Sequence, residues 1–251
     1  MLTQAGRYND FYGRFETLRK IFRFDIRYRC RRIHEVLKKL QISNENISIL
    51  DFGFGSGDLL ASFPESCSVT GVDVSRSAVE NAQKNHIFRK FKKSDFNTVP
   101  EHDNDKMVNE KYDLVLSSHV IEHVDDDFLF LKTLRSRVKD NGYLILFAPI
   151  EEPGYIFFHV RNYSQAGLEN IVKSAGFEIV FSEGSMNING HIWKIITIPS
   201  RRNWPVLGKT VNIIRLFTLS LIPYKMIRIL DHILNYMGAG PRQVMIVARK
   251  R

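Results

Sequence analysis

Three glycines at alternate positions follow a short apolar segment near residue 50. Gly53, Gly55 and Gly57 let the backbone turn sharply and approach a ligand without a Cβ in the way. Asp51 precedes the loop, and Asp73 ends the next apolar segment, twenty residues after Gly53. A carboxylate at that place can accept hydrogen bonds from both hydroxyls of a ribose. The combination predicts a site for a ribose-containing ligand, although the same residues also suit a plain strand-to-helix turn.

The spacing of this loop differs from that of a dinucleotide-binding loop. The glycines run GxGxG rather than GxGxxG, and Asp51 lies beside them. A carboxylate at that position repels a diphosphate and attracts a cationic ligand. A nicotinamide-dependent dehydrogenase is therefore disfavoured.

Three histidines are candidate general bases. His119 and His123 follow one apolar segment with Glu122 between them, and His159 follows the next segment along the chain. Histidine exchanges a proton near neutral pH, which is needed when a hydroxyl becomes the nucleophile. Each of them equally suits a structural role in a turn. Arg161 is a candidate for binding an anionic acceptor, or for pairing with a nearby acid. No HEXXH or CxxC pattern indicates a metal site.

Apolar segments alternate with helical patterns from residue 47 onward. Helices are predicted over residues 8–40 and 59–63, from the capping-box spacing of Ser77 and Glu80 to about His86, from Asp125–Asp127 to a C-cap at Gly142, and from Ser164 to Gly176. Seven strands are predicted: Ile47–Phe52, Ser68–Val74, Phe91–Phe96, Tyr112–Ser117, Tyr143–Ala148, Phe177–Phe181 and Gln243–Ala248.

This alternation predicts an α/β fold: a doubly wound, mostly parallel, seven-stranded sheet with helices on both faces, of the Rossmann-like type. A ligand of such a sheet binds beyond the carboxyl ends of the strands. Every candidate residue above falls at the end of a predicted strand or in the loop after it.

These motifs resemble, in the same order, those of the class I S-adenosylmethionine-dependent methyltransferases over about residues 46–184. Ile49–Gly57 is similar to the first motif of that family, and Tyr112–Val124 resembles the fourth-strand segment of its small-molecule branch, which includes quinone-biosynthesis methyltransferases. One departure is Phe54, where the family usually has a small residue or cysteine. The resemblance implies that S-adenosylmethionine is the cofactor. It implies as cofactor-binding residues Asp51, Gly53, Gly55, Gly57, Asp73, Asp95, Phe96 and Ser117.

The net charge of +9 is distributed unevenly along the 251 residues. Residues 1–40 carry 11 Lys and Arg against 4 Asp and Glu, residues 41–199 carry 15 against 22, and residues 200–251 carry 10 against 1. We interpret the chain as one methyltransferase domain. It comprises a basic helical extension (1–40), a cofactor-binding core (46–184), an apolar and basic insertion (185–240) and a final strand (243–248). Two cysteines exclude a disulfide scaffold.

The insertion contains Val211–Met237, which reads as two helices broken at Pro223. Three interpretations remain open: a lid over an apolar acceptor, a segment lying at an anionic membrane surface, or a further core layer or dimer surface. Its longest uncharged run, Leu216–Tyr224, is too short to span a bilayer. Because the N-terminus has no signal-peptide pattern, we expect a cytoplasmic protein, with peripheral association at the inner membrane face left open.

The leading hypothesis is an enzyme that moves a methyl group from S-adenosylmethionine to a small-molecule or lipid-linked acceptor, with oxygen as the favoured acceptor atom. One alternative is a nucleic-acid methyltransferase or binding protein, suggested by the basic ends. It is disfavoured, because Ser117-Ser118-His119-Val120 stands where base-methylating relatives carry an Asn/Asp-Pro-Pro-aromatic segment. The other alternative is a catalytically idle module of the same fold. The oligomeric state is left open.

Overall fold

The computed structural model describes residues 24–99, 110–150, 160–186, 221–238 and 240–251. Its strands are β1 (Ser48–Phe52), β2 (Ser68–Asp73), β3 (Lys93–Thr98), β4 (Tyr112–Ser118), β5 (Val138–Pro149), β6 (Phe177–Ser185) and β7 (Gln243–Lys250). They form one sheet in the order β3-β2-β1-β4-β5-β7-β6. All neighbouring pairs from β3 to β5 are parallel, whereas β7 is antiparallel to both β5 and β6. The predicted mostly parallel seven-stranded sheet is confirmed.

The described helices connect these strands or flank the sheet. They are α1 (Phe24–Lys39), α2 (Asp58–Ala61), α3 (Arg76–Lys84), α4 (Asp127–Arg137), α5 (Gln165–Ser174) and α6 (Tyr224–Tyr236), with short 3-10 turns at His86–Lys90 and Ile121–His123. The part of the predicted 8–40 helix before Phe24 lies outside the described residues. So does the first of the two helices predicted within Val211–Met237, apart from its last residues.

The sheet separates two apolar cores, so helices cover both of its faces. On one face α1, α2 and α3 pack on alternate residues of the central strands, among them Ile49, Leu114 and Leu116. On the other face α4 and α5 pack on the intervening residues, among them Leu50 and Val115. Alternation along a strand therefore decides which side of the sheet each candidate residue faces.

Two predicted helix boundaries are wrong. Ser75, and not Ser77, caps α3: its extended backbone lets its Oγ accept from the Ala78 N–H at 3.3 Å. Gly142 does not end α4, because the helix stops at Arg137 and the chain passes directly into β5. There Val138 pairs with Tyr112 of β4, so the fifth strand begins five residues earlier than predicted. The caps predicted within Asp125–Asp127 and at Ser164 are confirmed.

Helix α6 packs against α1 in a third apolar cluster. The rings of Tyr28 and Tyr224 lie 5.4 Å apart, and Phe24 and Ile227 are buried beside them. Beneath this cluster Glu183 of β6 accepts two hydrogen bonds from Arg228, both at 2.9 Å. These contacts join the helix that precedes the last strand to the basic helix at the start of the described chain. Within the described ranges, no helix is long and apolar enough to cross a membrane.

Candidate active site

The glycine loop after β1 needs glycine at its first and last positions. Gly53 and Gly57 have φ values of +80° and +74°. A Cβ on Gly53 would lie 2.2 Å from Val120 Cγ2, and one on Gly57 would lie 2.5 Å from Phe88 Cζ. Both positions therefore combine a left-handed backbone with a close approach that a side chain would prevent.

Asp73 ties the end of β2 to this loop. Its Oδ2 accepts from the Gly55 N–H at 2.8 Å, and its Oδ1 accepts from the Ser75 N–H at 2.8 Å. Burial raises the pKa of Asp73, and the N–H donors of Ser75 and Gly55 partly offset that rise. Each carboxylate oxygen retains a lone pair for a further donor. Asp73 therefore shapes the loop and presents remaining acceptor capacity at the same edge.

Asp51 is buried to 1% exposure at the end of β1. Neither of its carboxylate oxygens has a hydrogen-bond donor within reach among the residues that the structure describes. Burial raises the pKa of Asp51 to about 8, the Asp73 carboxylate adds to the rise, and Arg29 opposes it. Burying a carboxylate that has no hydrogen-bond donor costs free energy, so this position suits a ligand group that is cationic or that donates a hydrogen bond.

Phe54, the departure from the family pattern, turns into the core. It is 6% exposed and its ring lies 5.2 Å from that of Phe96. Both rings crowd Gly71 of β2, where a Cβ would meet them at 2.7 and 2.6 Å. The bulky Phe54 side chain thus packs in the apolar core on the inner side of the loop.

The structure separates Asp95 from Phe96. The two are adjacent in β3, so their side chains point to opposite faces: Phe96 is 4% exposed and packs in the core, whereas Asp95 is exposed. Asp95 pairs with Thr70 of β2, three positions before Asp73. The structure does not bring the Asp95 carboxylate to the edge where Asp73 lies, and its contact with adenine stays a prediction.

Ser117 and its neighbour Ser118 also face opposite sides of the sheet. Ser117 lies on the same face of the sheet as Val115 and is fully buried. Its Oγ has no hydrogen-bond partner among the described residues. Ser118 continues the side of Leu116, where its Oγ accepts from Arg29 at 3.2 Å. Since Arg29 comes from α1 and acts on Asp51, it is Ser118 that shares the Asp51 side of the sheet.

His119 follows β4 with a left-handed φ of 58°. Its N–H donates to the Phe147 carbonyl at 2.9 Å, which fixes the residue against β5. The ring Nδ1 lies 3.4 Å from Glu122 Oε1, and Nε2 lies 3.1 Å from Gln243 Oε1. A base oriented by a carboxylate in this way is typical of general base catalysis.

Glu122 is 1% exposed and also lies 3.9 Å from His123 Nε2. Burial alone would raise the pKa of Glu122, but hydrogen bonding and charge from His119, with a contribution from His123, lower it below its ordinary value. Its Oε1 therefore serves as a shared anionic partner of both histidines. His123 is 18% exposed in its side chain and ends the 3-10 turn, a place that favours its structural role.

The acceptor-side candidates are only partly visible. His159 lies outside the described residues. Arg161 donates to the carbonyl oxygens of Val124, at 2.8 Å, and Asp125, and its Nε lies 3.5 Å from Asp127 Oδ2. Of its two predicted roles, pairing with an acid is confirmed. Among the described residues, no group of three His, Cys, Asp or Glu is arranged to hold a metal ion.

Sequence reasoning missed Arg29 and Gln243, which reach the site from α1 and β7. Arg29 is one of many basic residues in its segment, so its type carried no signal. Gln243 was placed at the start of the last strand, but the antiparallel insertion of β7 beside β5 brings it to His119. Only the strand order reveals that contact.

Comparisons with known proteins fit this fold and loop. The family described as a methyltransferase domain matches residues 21–181. A ubiquinone biosynthesis O-methyltransferase of Pelagibacter ubique is 30% identical over 201 residues, which cover 75% of this chain and 72% of that protein. Its counterpart from Rickettsia typhi is 32% identical over 123 residues, covering 46% of this chain and 47% of that protein. Apart from the Pelagibacter protein, this chain spans about half the length of the first such relatives.

Solved structures show the same fold. A SAM-dependent methyltransferase from Aquifex aeolicus superimposes with a TM-score of 0.53 at 18% identity, covering 73% of this chain and 93% of that one. The [4+2]-cyclase SpnF superimposes with a TM-score of 0.56 at 14% identity, covering 87% and 80%. At such identities the likeness concerns architecture alone.

The fold and the glycine loop define a class I S-adenosylmethionine-dependent methyltransferase. The chain belongs to the family of methyltransferase domains, whose match extends over more than half of its length.

Proposed function

We propose that this methyltransferase transfers a methyl group to a hydroxyl oxygen of a small-molecule or lipid-linked acceptor, with His119 as general base. The observation that carries the proposal is the approach of His119 Nδ1 to the buried carboxylate of Glu122, 3.4 Å apart at the carboxyl end of β4. The names of the relatives from Pelagibacter and Rickettsia, both O-methyltransferases of ubiquinone biosynthesis, support oxygen as the acceptor atom.

The residues present fit S-adenosylmethionine. The two oxygens of Asp51, which have no donor among the residues that the structure describes, suit the positive charge or the ammonium group of this cofactor. The left-handed backbone of Gly53 turns the chain sharply after β1, as a loop that holds a ligand through its backbone requires, and the remaining lone pairs of Asp73 suit the ribose hydroxyls. Gly55 and Gly57 belong to the same loop, and we assign them to the same ligand; the contacts of Asp95, Phe96 and Ser117 stay predictions from the sequence.

S-adenosylmethionine supplies, when bound, a methyl group attached to a positively charged sulfur. The protein must align the acceptor oxygen with that methyl group, exclude water and take the hydroxyl proton. In this proposal Glu122 holds the Nδ1 side of His119, and the acceptor hydroxyl replaces Gln243 as the partner of Nε2. His123 and His159 are the alternative bases.

We propose further that residues 46–184 form the cofactor-binding core, and that α1 of the basic extension (1–40) and α6 of the insertion (185–240) flank the acceptor side. An acceptor with a lipid tail would reach such a site from an anionic membrane surface. The side chain of Arg29, which extends from α1 to Ser118, supports a role of the extension in closing the site.

The experiment is transfer of a labelled methyl group from S-adenosylmethionine to catechol and protocatechuate. His119→Ala should slow transfer by about 10²- to 10⁴-fold, while calorimetry shows S-adenosylmethionine affinity unchanged. His86→Ala, an exposed histidine outside the site, is the matched control. Saturable cofactor binding with transfer unaffected by His119→Ala would overturn the role of His119. Folded protein that binds no S-adenosylmethionine would overturn the proposed function itself.

A further inference from the structure

Helix α6 carries an apolar surface that faces away from the protein. We call it the α6 ridge, formed by Met226, Ile229, Ile233 and Tyr236, which are 53%, 60%, 47% and 92% exposed. These residues recur every three or four positions and so line one side of the helix. The opposite side is buried on α1 through Tyr224 and Ile227. The helix is thus apolar on two sides, of which only one is used within the described fold.

A cationic cavity of about 170 Å³ lies at the start of α6. Arg27 and Arg31 of α1 line it together with Leu221, which is itself 67% exposed. Within the described residues neither arginine makes an ion pair, and the Arg31 guanidinium lies 5.7 Å from the centre of the Tyr224 ring. Leu221 therefore connects these two guanidinium groups, which have no acidic partner among the described residues, with the exposed apolar residues.

The acids near this surface are already engaged. Asp231, the single acid of α6, is 2% exposed and accepts from the Tyr28 hydroxyl. Glu35 accepts from Tyr224 and from Arg32, and Asp25 accepts from Arg29. The exposed side of α6 adds a further cation, Lys225. The surface is therefore apolar and positive, with no uncompensated acid in the part of the chain that the structure describes.

The chain segments that flank α1 and α6 in the sequence are basic overall. Residues 187–220 contain five Lys and Arg and no Asp or Glu, and residues 1–23 contain five against two. A second copy paired symmetrically over the same surface would bring together two patches that each carry Arg27, Arg31 and Lys225. Two positive patches repel each other, so the partner that complements this surface is anionic.

We propose that this surface docks on an anionic lipid bilayer, with the α6 ridge in the interface and Arg27 and Arg31 on lipid phosphate groups. A helix with one apolar side flanked by cations lies in the plane of such an interface. The inference deepens the proposed function, on which its purpose rests: a bilayer is where a lipid-linked acceptor would be held. Helix α1 carries Arg27 and Arg31 outward and Arg29 inward to Ser118, so docking and active site share one helix.

The test is co-sedimentation of the full chain with vesicles of phosphatidylcholine alone or with about one third phosphatidylglycerol. Wild type should bind the anionic vesicles at least tenfold better and lose this preference in high salt, since each cation near the surface contributes roughly fivefold. Arg27→Glu with Arg31→Glu should abolish the preference. Ile229→Asp with Ile233→Asp should lower binding to both kinds of vesicle.

Matched controls come from the opposite edge of the sheet. Lys84→Glu with Arg89→Glu reverses two exposed cations there, and Ile87→Asp changes an isoleucine that is 47% exposed, as Ile233 is. These variants should bind vesicles as wild type does. Calorimetry with S-adenosylmethionine checks that every variant is folded, and the arginine pair tests the proposal even if the isoleucine pair fails that check.

Equal binding to both vesicle types, or binding that the arginine pair leaves unchanged, overturns the proposal. So does a stable dimer in sedimentation velocity that the isoleucine pair dissociates, because the ridge would then be an interface between copies. A chain that binds anionic vesicles but methylates no hydroxyl contradicts the proposed function alone. A chain that methylates hydroxyls but ignores vesicles contradicts this inference alone.

Discussion

The backbone N–H of Gly55 donates to Oδ2 of Asp73 at 2.8 Å. This bond makes the two motifs of the site interdependent, because the acid that ends β2 also holds the middle of the loop that follows β1. Gly53 reinforces the connection by donating its N–H to the Val72 carbonyl at 2.7 Å. A change at Asp73 therefore alters both the ligand contact and the shape of the loop.

Replacing Asp73 should abolish measurable binding of S-adenosylmethionine. Asp73→Ala removes the acceptor of Gly55 and the proposed ribose partner at once, for which we expect at least a hundredfold weaker affinity by calorimetry. Asp140→Ala, an exposed acid near the amino end of β5, should bind as wild type does. Retained affinity in the Asp73 variant would mean that the cofactor lies elsewhere.

Gly53→Ala should destabilise the fold by more than its backbone strain alone. A residue with a Cβ has a strained backbone at φ +80°, and this Cβ would lie 2.2 Å from Val120 Cγ2. We therefore expect urea unfolding to show a free energy of unfolding that is lower by about 3 kcal/mol. Gly238→Ala is the control, because Gly238 has φ +81° and nothing lies within 4 Å of its Cβ position. Gly238→Ala should lower the free energy of unfolding by about 1 kcal/mol. Adding Val120→Ala to Gly53→Ala should restore part of the loss, and no restoration would refute the steric account.

Asp51→Asn should stabilise the protein without ligand, increasingly so as the pH rises. Burial raises the pKa of Asp51 to about 8 from the model-peptide value of 3.8, so the folded state keeps a proton that the unfolded state loses. The contribution of this group to stability is intact below about pH 4 and is lost progressively up to about pH 8. Urea unfolding of both proteins at several pH values measures the difference. A gain that does not grow between pH 4 and 8 would contradict the raised pKa.

Cofactor binding should release a proton near pH 7. If a cationic ligand approaches the Asp51 carboxylate, it stabilises the charged form and lowers the pKa of that group. Calorimetry of S-adenosylmethionine binding in buffers of different ionisation enthalpy measures the release directly. We expect it in wild type and not in Asp51→Asn, which should also bind more weakly. Equal proton release by both proteins would assign the effect to another group.

Glu183→Gln should loosen α6 from the sheet. Burial would raise the pKa of Glu183, but hydrogen bonds from Arg228 and Arg32 outweigh it and the pKa is lowered. The ionised Glu183 therefore stabilises the fold above the ordinary pKa of a glutamate, and this stabilisation is lost as the pH falls through the lowered pKa of Glu183. We expect a loss of about 2 kcal/mol at pH 7, and smaller losses in acid.

The matched control is Glu178→Gln, also on β6 and also paired with an arginine, Arg251. Because that pair is exposed, we expect no measurable change in unfolding. Hydrogen exchange of the α6 amides should separate the two variants further, with faster exchange in Glu183→Gln alone. Unchanged exchange there would show that Glu183 does not hold the helix.

The strand pattern and the loop were readable from the sequence because both depend on local residue types. Buried parallel strands read as short apolar runs, and Gly53 and Gly57 occupy positions where other residues would clash. The S-adenosylmethionine-dependent methyltransferase class followed from those motifs and is confirmed. The cap at Ser164 was equally local.

Face and register were not readable in the same way. Ser117 and Ser118 are identical in type, and only the pairing of β4 with its neighbours tells which one meets Arg29. Asp95 fits an adenine-binding position by sequence order, but its register against Thr70 keeps its carboxylate back from the edge. Gly142 has the residue type of a helix C-cap, yet strand pairing begins before it at Val138.

Strand β7 lies between β5 and β6 although it follows both in the chain. During synthesis, β6 therefore has no neighbour among the described strands until residues 243–250 have been made. Gln243, which begins β7, is also the partner of His119, 124 residues earlier. Contacts between residues so far apart in the sequence form slowly, and a strand edge that stays unpaired in the meantime promotes aggregation. We expect a nascent chain to form its glycine loop early and to bring Gln243 to His119 last, once the sheet closes.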